Sequence, residues 1–293
     1  LVLWLRGFEG SVILSGSGFY TSEPDLDWPG RFHCDDEQLN AIAEMCARTF
    51  RAGTQEALMD CPTREKATYV GDGHPVAYWL ALMTGDARHW RYLVREQFMR
   101  PMAEGLIHST PFSGVINTLI DYTLLAVIWT QRYLEFTGDR ATVEPLLGAC
   151  RDILRYFDER TEERGLFNWH WPGVPRSQGW EQQYTGETRR LGESMNLFLD
   201  HPGMGWHNKG EAGIDRRGIN AAINALRVQA REAMAELEAA FGDEAAAASL
   251  RERNARLRDV LRKTFFDADR GAFVDGELDG ERLVQVSQQT NTW

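Results

Sequence analysis

The sequence predicts an all-α architecture of helical hairpins in series, and three observations predict it. From residue 35 onward apolar residues recur at helical spacing, beginning with Leu39, Ile42, Cys46 and Phe50. Three junctions repeat one pair, Gly85-Asp86, Gly138-Asp139 and Gly242-Asp243. Glycine takes the left-handed conformation that closes a helix, and aspartate caps the next one, so each pair marks a tight helix–turn–helix. Helical patterns recur on both sides of these junctions, with irregular stretches between one hairpin and the next.

The elements follow in order. Residues 1–32 read as the end of a β-sandwich domain plus a linker. Val2, Trp4, Val12 and Leu14 are separated by Gly-rich turns, and Pro24, Pro29 and Gly30 follow. Asp35, with Gln38 three residues on, resembles a capping box and opens the first helix of a domain over 33–293. Further helices are predicted at roughly 73–84, 87–101, 117–137, 140–160, 214–241 and 244–265. Hairpins in series bury their apolar faces by closing around a common axis or by stacking as a solenoid. In a closed ring the irregular stretches 53–72, 102–116 and 161–213 gather at one rim. The last of these is rich in aromatic and polar residues, which argues for a built loop rather than a disordered one. The chain starts without Met in a strand-like segment and ends on Gln288–Trp293, the opening of another helix, so it is expected to be a piece of a longer protein.

Composition narrows the function. A formal charge of −11 argues against nucleic acid and anionic membrane as partners, because both require a basic surface. No run is long and apolar enough to span a bilayer. The four cysteines (Cys34, Cys46, Cys61, Cys150) are scattered, without a CxxC pair, and favour a reducing, cytoplasmic compartment over a disulfide or zinc framework. His201 and His207, with Asp200, match no standard metal spacing, so no metal site is expected. A homo-oligomer is compatible with the sequence. Most of the ten Trp are expected to fill the core. Trp129 and Tyr133 lie on a helical stripe and read as core, and His74 and His170 read as structural.

The chemistry is concentrated in Asp60-Cys61-Pro62-Thr63-Arg64-Glu65-Lys66-Ala67-Thr68-Tyr69-Val70-Gly71-Asp72. Three carboxylates, two cations and an aromatic share one loop broken by Pro62 and Gly71. Glycoside hydrolysis requires one protonated carboxyl to supply the leaving oxygen and a second carboxylate to attack the sugar or activate water. Neighbouring carboxylates raise one another's pKa, the condition for a general acid. The plainer readings stand beside this one. Asp72 caps the next helix, Arg64 pairs with Glu65 or Asp60, and Asp60 makes an Asx turn.

This segment resembles the signature of glycoside hydrolase family 78, the α-L-rhamnosidases: Asp-Cys-Pro-x-Arg, then an acid, then aromatic-x-Gly-Asp. Similar stretches include Gly16–Phe19 through Phe32–Asp35, Asp121–Leu125, Tyr133–Asp139, Trp169–Pro172, and the long helix at 218–241 followed by Phe265–Asp267. The resemblance implies an (α/α)6 barrel behind β-domains. It implies Glu65 as general acid, Asp60 and Asp72 as rhamnose-binding residues, Arg64 in the same shell, and Trp171 as a platform for the sugar's apolar face. Tyr69 stands where the family usually has Trp and joins the substrate-binding set. Lys66 replaces an Arg, and His170 stands where an Asp before Trp-Pro is common. The family's general base is a Glu on a later loop, expected beyond Trp293.

The reaction so implied is inverting hydrolysis of a terminal α-L-rhamnoside, without a cofactor, on a rhamnose-containing glycoside or oligosaccharide. Two other readings stay open. The same barrel hosts uronic-acid hydrolases and lyases, for which Arg64, Lys66, Arg176, Arg189 and Arg190 would supply cations. A carbohydrate-binding module without activity is the other, and the intact Asp60/Glu65/Asp72 set argues against it.

Overall fold

The computed structural model describes residues 6, 7, 9–11, 13, 15, 16, 24–55, 57–61, 66–101, 105–111, 117–168, 194–199 and 213–292. These residues are mostly helical. Val2, Trp4, Val12 and Leu14, which carried the β reading, lie outside them, and 24–36 runs without regular structure against the C-terminal end of the second helix, where the Gly30 N–H donates to the Met83 carbonyl at 2.9 Å.

Helix α1 spans Glu37–Gly53. Its N-cap is Asp36, not Asp35, because the Asp36 carboxylate is the one that accepts from the Gln38 and Leu39 N–H groups. Helices α2 (Val70–Thr84) and α3 (Arg88–Glu96) form the first hairpin, closed by Gly85 at φ 73°. The predicted helix 87–101 stops at Glu96. Strand β1 (Asn117–Leu119) precedes α4 (Ile120–Thr137), which ends on Gly138 at φ 68°. Asp139 then caps α5 (Arg140–Val143), accepting from the Thr142 N–H. The predicted helix 140–160 is broken into α5, a 3-10 turn at Glu144–Leu146 and α6 (Leu147–Asp158). Pro145 lacks an N–H and cannot continue the α-helical ladder, which accounts for the break.

Strand β2 (Ser194–Asn196) pairs in parallel with β1, in the register Thr118 to Met195. Strand β3 (Ile219–Asn220) precedes α7 (Ala221–Ala240), which begins later than predicted because residues 213–220 form a turn and a strand. Asn220 caps α7 through the Ile223 N–H, and Asp243 caps α8 (Glu244–Phe265) through the Ala246 N–H. Strands β4 (Phe266–Asp267) and β5 (Ala272–Phe273) form one hairpin. Strands β6 (Gly276–Leu278) and β7 (Glu281–Arg282) extend β3 into a three-stranded sheet. Helix α9 (Gln288–Thr292) begins where a further helix is expected. Buried Asp275 ties it to the segment before α7, accepting from Ser287 Oγ, Thr290 Oγ1 and the Ser287 and Asp215 N–H groups.

The helices fall into two layers. α4 and α7 are buried on nearly all sides, the signature of an inner helix. α3, α6 and α8 bury one stripe each, for example Leu250, Asn254, Leu257 and Leu261 of α8. α2 packs beside α4. The main core runs between the layers and includes Leu80, Trp90, Leu124, Tyr133, Phe157 and Leu226. Trp129 is half-buried at its edge, and Tyr133 is buried, as the helical stripe implies.

Candidate active site

The acidic loop is closed at its neck. The Ala67 N–H donates to Asp60 Oδ1 at 2.9 Å, and the Asp60 N–H donates to the Ala67 carbonyl at 2.9 Å. Asp60 therefore clasps the loop 61–66, with Lys66 exposed in the left-handed region at φ 52°. The bond reaches a peptide seven residues on, not two, so Asp60 makes a clasp rather than an Asx turn, and its carboxylate lies at the neck of the segment that carries Glu65 in sequence. Glu65, Arg64 and Trp171 lie outside the described residues, as do His170, Arg176, Arg189, Arg190, Asp200, His201 and His207.

Three residues after Ala67 the chain enters α2. Its first orphan donor is satisfied from outside, because the Val70 N–H donates to the Ser109 carbonyl at 2.8 Å. Ser109 Oγ also accepts from the Leu119 N–H at 2.6 Å, so one buried serine joins the starts of α2 and α4. Asp72 does not cap α2. The N-cap is Tyr69, and Asp72 stands exposed in the first turn, where a negative charge is favoured by the helix dipole. Tyr122, in the first turn of α4, donates its hydroxyl to Asp72 Oδ2 at 3.2 Å. The Tyr122 ring lies flat against Gly71, where a Cβ would sit 2.5 Å from the ring's ζ carbon, so only glycine permits the approach. Tyr69 and Phe198 meet the same ring edge-on, with centroids 6.5 and 5.9 Å away. Tyr69 and Asp72 are thus brought together around Tyr122, which was not among the predicted site residues. Its signal in the sequence was its place in Asp121–Leu125, one of the stretches similar to family 78.

Beside it, Asp121 is buried and accepts from the Phe198 and Leu199 N–H groups at 3.1 and 3.0 Å. Burial pushes its carboxyl up to about 6, against the pull of those N–H groups and of the Arg216 charge. The hydrogen bond from Tyr122 to Asp72, and the Arg216 charge felt at Asp121, place the starts of α2 and α4 and the approach to α7 at one end of the helices. That end is a rim where the Asp72 carboxylate, three aromatic rings and the Asp60–Ala67 clasp are gathered. Carboxylates accept from sugar hydroxyls and rings stack on C–H faces, so the set suits a neutral carbohydrate. Among the described residues no group of three or more His, Cys, Asp or Glu is arranged to hold a metal.

Below the rim, His74 is buried as expected. Its Nε2 is 2.7 Å from Gln97 Oε1, and its Nδ1 accepts from Trp90 Nε1 at 3.1 Å. Burial pushes its pKa down to about 4, partly opposed by the Gln97 hydrogen bond. The two buried groups then act in opposite directions. Folded Asp121 holds a proton that the unfolded chain releases above its ordinary value of 3.8, so its contribution to stability falls as pH rises towards 6. Folded His74 refuses a proton that the unfolded chain accepts below 6.5, so its contribution falls as pH drops towards 4. Each is worth about 3 kcal/mol. Asp121→Asn is expected to gain stability relative to the parent as pH rises across this window, and His74→Gln as pH falls. Denaturant unfolding at several pH values checks this, and profiles that stay parallel to the parent would remove the assignment.

The comparisons with known proteins fit this geometry. The family described as bacterial alpha-L-rhamnosidase 6 hairpin glycosidase domain matches residues 28–292. The rhamnosidase from Klebsiella oxytoca with rhamnose bound has a similar fold, with TM-score 0.68 and 20% identity over 92% of this chain and 45% of that one. The GH78 family rhamnosidase of Bacillus sp. GL1 gives 0.68 and 22%, over 90% of this chain and 24% of that one. The Streptomyces avermitilis α-L-rhamnosidase complexed with L-rhamnose gives 0.55 and 16%, over 89% and 21%. The chain therefore spans less than half the length of these relatives. Among curated proteins no match was found. With the clasped acidic loop, the hairpin order and nearly its whole length within that match, the chain belongs to the bacterial α-L-rhamnosidase six-hairpin glycosidase domain family.

Proposed function

We propose that the intact protein hydrolyses terminal, non-reducing α-L-rhamnosides with inversion at the anomeric carbon. Family membership supports the reaction class. The observation that carries the reading is the junction of two features: the Asp60–Ala67 clasp that closes the loop of Glu65, and Asp72 held by Tyr122 at the start of the next helix. The rhamnose bound in the Klebsiella and Streptomyces neighbours supports the sugar.

In this mechanism Glu65 gives its proton to the glycosidic oxygen as the bond to the anomeric carbon breaks. A second Glu, proposed beyond residue 293, takes a proton from a water that attacks the opposite face. The two carboxyls would stand roughly 6.5–9.5 Å apart to admit that water. Asp60 and Asp72 accept from ring hydroxyls, Arg64 sits in the same shell, and Tyr69 and Trp171 cover the apolar face. The steps need no cofactor.

The same proposal extends to architecture, with 1–32 as the end of a β-domain and 33–293 as part of an (α/α)6 barrel. Support comes from the alternation of outer α3, inner α4, outer α6, inner α7 and outer α8 along the chain. It comes also from Leu39, Ile42 and Met45 on α1 and Trp79 and Leu82 on α2, which are 42–53% exposed. Further helices closing the ring would cover them.

The test is turnover of 4-nitrophenyl α-L-rhamnoside by the intact protein, with the first-formed anomer read by proton NMR. Release of the β-anomer of rhamnose is expected. Turnover of an unsaturated uronide without the rhamnoside would move the protein to the uronate reading, and binding without turnover would make it a lectin-like module.

A further inference from the structure

Away from the rim, a groove of about 440 Å³ runs along the outer side of α7, between α6 and α8. Its floor is apolar, with Leu154, Met234 and Leu250. At one end three guanidinium groups converge on a single carboxylate. Arg227 reaches Asp158 Oδ1 at 3.3 Å, Arg231 bonds the same oxygen, and Arg253 reaches Oδ2 at 2.8 Å. Arg227 and Arg231 are buried, with 1% and 6% of their surface exposed. Burying a charge is costly unless it is paired, and among the described residues one carboxylate here balances one of three cations. Among the described residues the buried Nε–H groups of Arg227, Arg231 and Arg253 have no hydrogen-bond acceptor. Burial pushes the Arg227 guanidinium down to about 9, and the charge of Arg231 adds to the fall.

The other cations on the groove are already balanced. Arg151 forms a two-pronged pair with Glu238 at 2.7 Å, and Arg155 pairs with Asp152 at 2.7 Å. The excess of two positive charges therefore sits at the Asp158 end, where Arg253 faces the groove with 42% of its side chain exposed. That is an unusual excess on a chain of formal charge −11.

We propose that this groove is a second ligand site, for a small oxyanion carrying an apolar body, such as an organic phosphate or carboxylate. The anionic group lies against Arg253 at the Asp158 end, and the apolar part covers Leu154, Met234 and Leu250. The site is separate from the rim and does not depend on the reaction proposed there.

Phenyl phosphate is the probe, titrated calorimetrically into the intact protein at constant ionic strength, beside inorganic phosphate. Saturable one-to-one binding of phenyl phosphate is expected, tighter than that of inorganic phosphate. Arg253→Gln is expected to weaken it by about tenfold or more. This variant leaves Asp158 paired with Arg227 and Arg231, so the network keeps its carboxylate satisfied. Arg256→Gln removes the same charge from the same helix, at an exposed pair with Glu252, and should bind like the parent. Ser249→Glu is an independent check, since it places a negative charge on the groove wall without touching the Asp158 cluster. No saturable binding up to about 10 mM, equal affinity for the two probes, or parent-like binding by both Arg253→Gln and Ser249→Glu would overturn the proposal.

Discussion

Replacing Glu65 by Gln in the intact protein is expected to slow hydrolysis of an α-L-rhamnoside by at least about 100-fold, with KM little changed. Gln keeps the size and hydrogen-bonding reach of Glu but has no proton to give the leaving oxygen. The loss should depend on the aglycone. A 4-nitrophenolate departs with little help, whereas an alkoxide does not depart unprotonated, so the variant should fall further on an alkyl rhamnoside than on the nitrophenyl one. The high-pH limb of the rate profile, where the acid loses its proton, should disappear as well. A variant that loses activity equally on both substrates and keeps the parent's pH limb would assign Glu65 a positioning role and transfer the acid to another group. The neighbouring aspartates are the other candidates for the acid, and their hydrogen bonds weigh against them. Asp60 is committed through Oδ1 to the Ala67 N–H, and Asp72 to the Tyr122 hydroxyl, so both have structural partners that a shuttling acid would have to break.

How far the sequence was legible follows from the range of the interactions. The Gly-Asp junctions were readable because their chemistry is local. Gly85 and Gly138 take left-handed conformations, and Asp139 and Asp243 bond N–H groups three residues ahead. Asp86 departs slightly: it bonds the Arg88 N–H and its guanidinium, while the N-cap of α3 is Ala87. The acidic loop was readable as a motif, but its partners were not. Tyr122 lies fifty residues from Asp72, and Asp121 reaches peptide groups at 198 and 199. No periodicity reports such pairings, because they arise only when two helices begin at the same rim. Gly71 shows the same limit. In sequence it is a breaker, whereas in the fold it lies inside α2 and makes room for an aromatic ring. The three arginines on Asp158 were equally hidden, since in a helical pattern each reads as a solvated charge.

Trp90→Ala should produce the largest loss of stability, about 3–5 kcal/mol. Trp90 is fully buried on α3 and links three helices. Its ring meets Tyr78 of α2 at 5.5 Å, and Trp129, Tyr133 and Phe136 of α4 at 6.2, 5.5 and 5.7 Å. Its Nε1 is also the donor that satisfies His74 Nδ1. Alanine removes the packing and the donor together, against a total stability of roughly 5–15 kcal/mol. Trp90→Phe separates the two terms. It keeps a ring in the cluster and leaves the buried His74 nitrogen without its donor, for a cost of about 1–3 kcal/mol. Denaturant unfolding followed by circular dichroism should rank the parent above Trp90→Phe and Trp90→Phe above Trp90→Ala. Equal losses in the two variants would mean that the hydrogen bond, not the packing, carries the effect. His74 sits two residues beyond Asp72 on the same helix, so this cluster is the floor on which the rim rests. Trp90→Phe is expected to keep rhamnosidase turnover at temperatures where it remains folded, because the Asp72–Tyr122 pair lies in the first turns of α2 and α4, on the rim side of the cluster. A fall in kcat of the folded variant would show that the position of the rim carboxylates depends on the aromatic core beneath them.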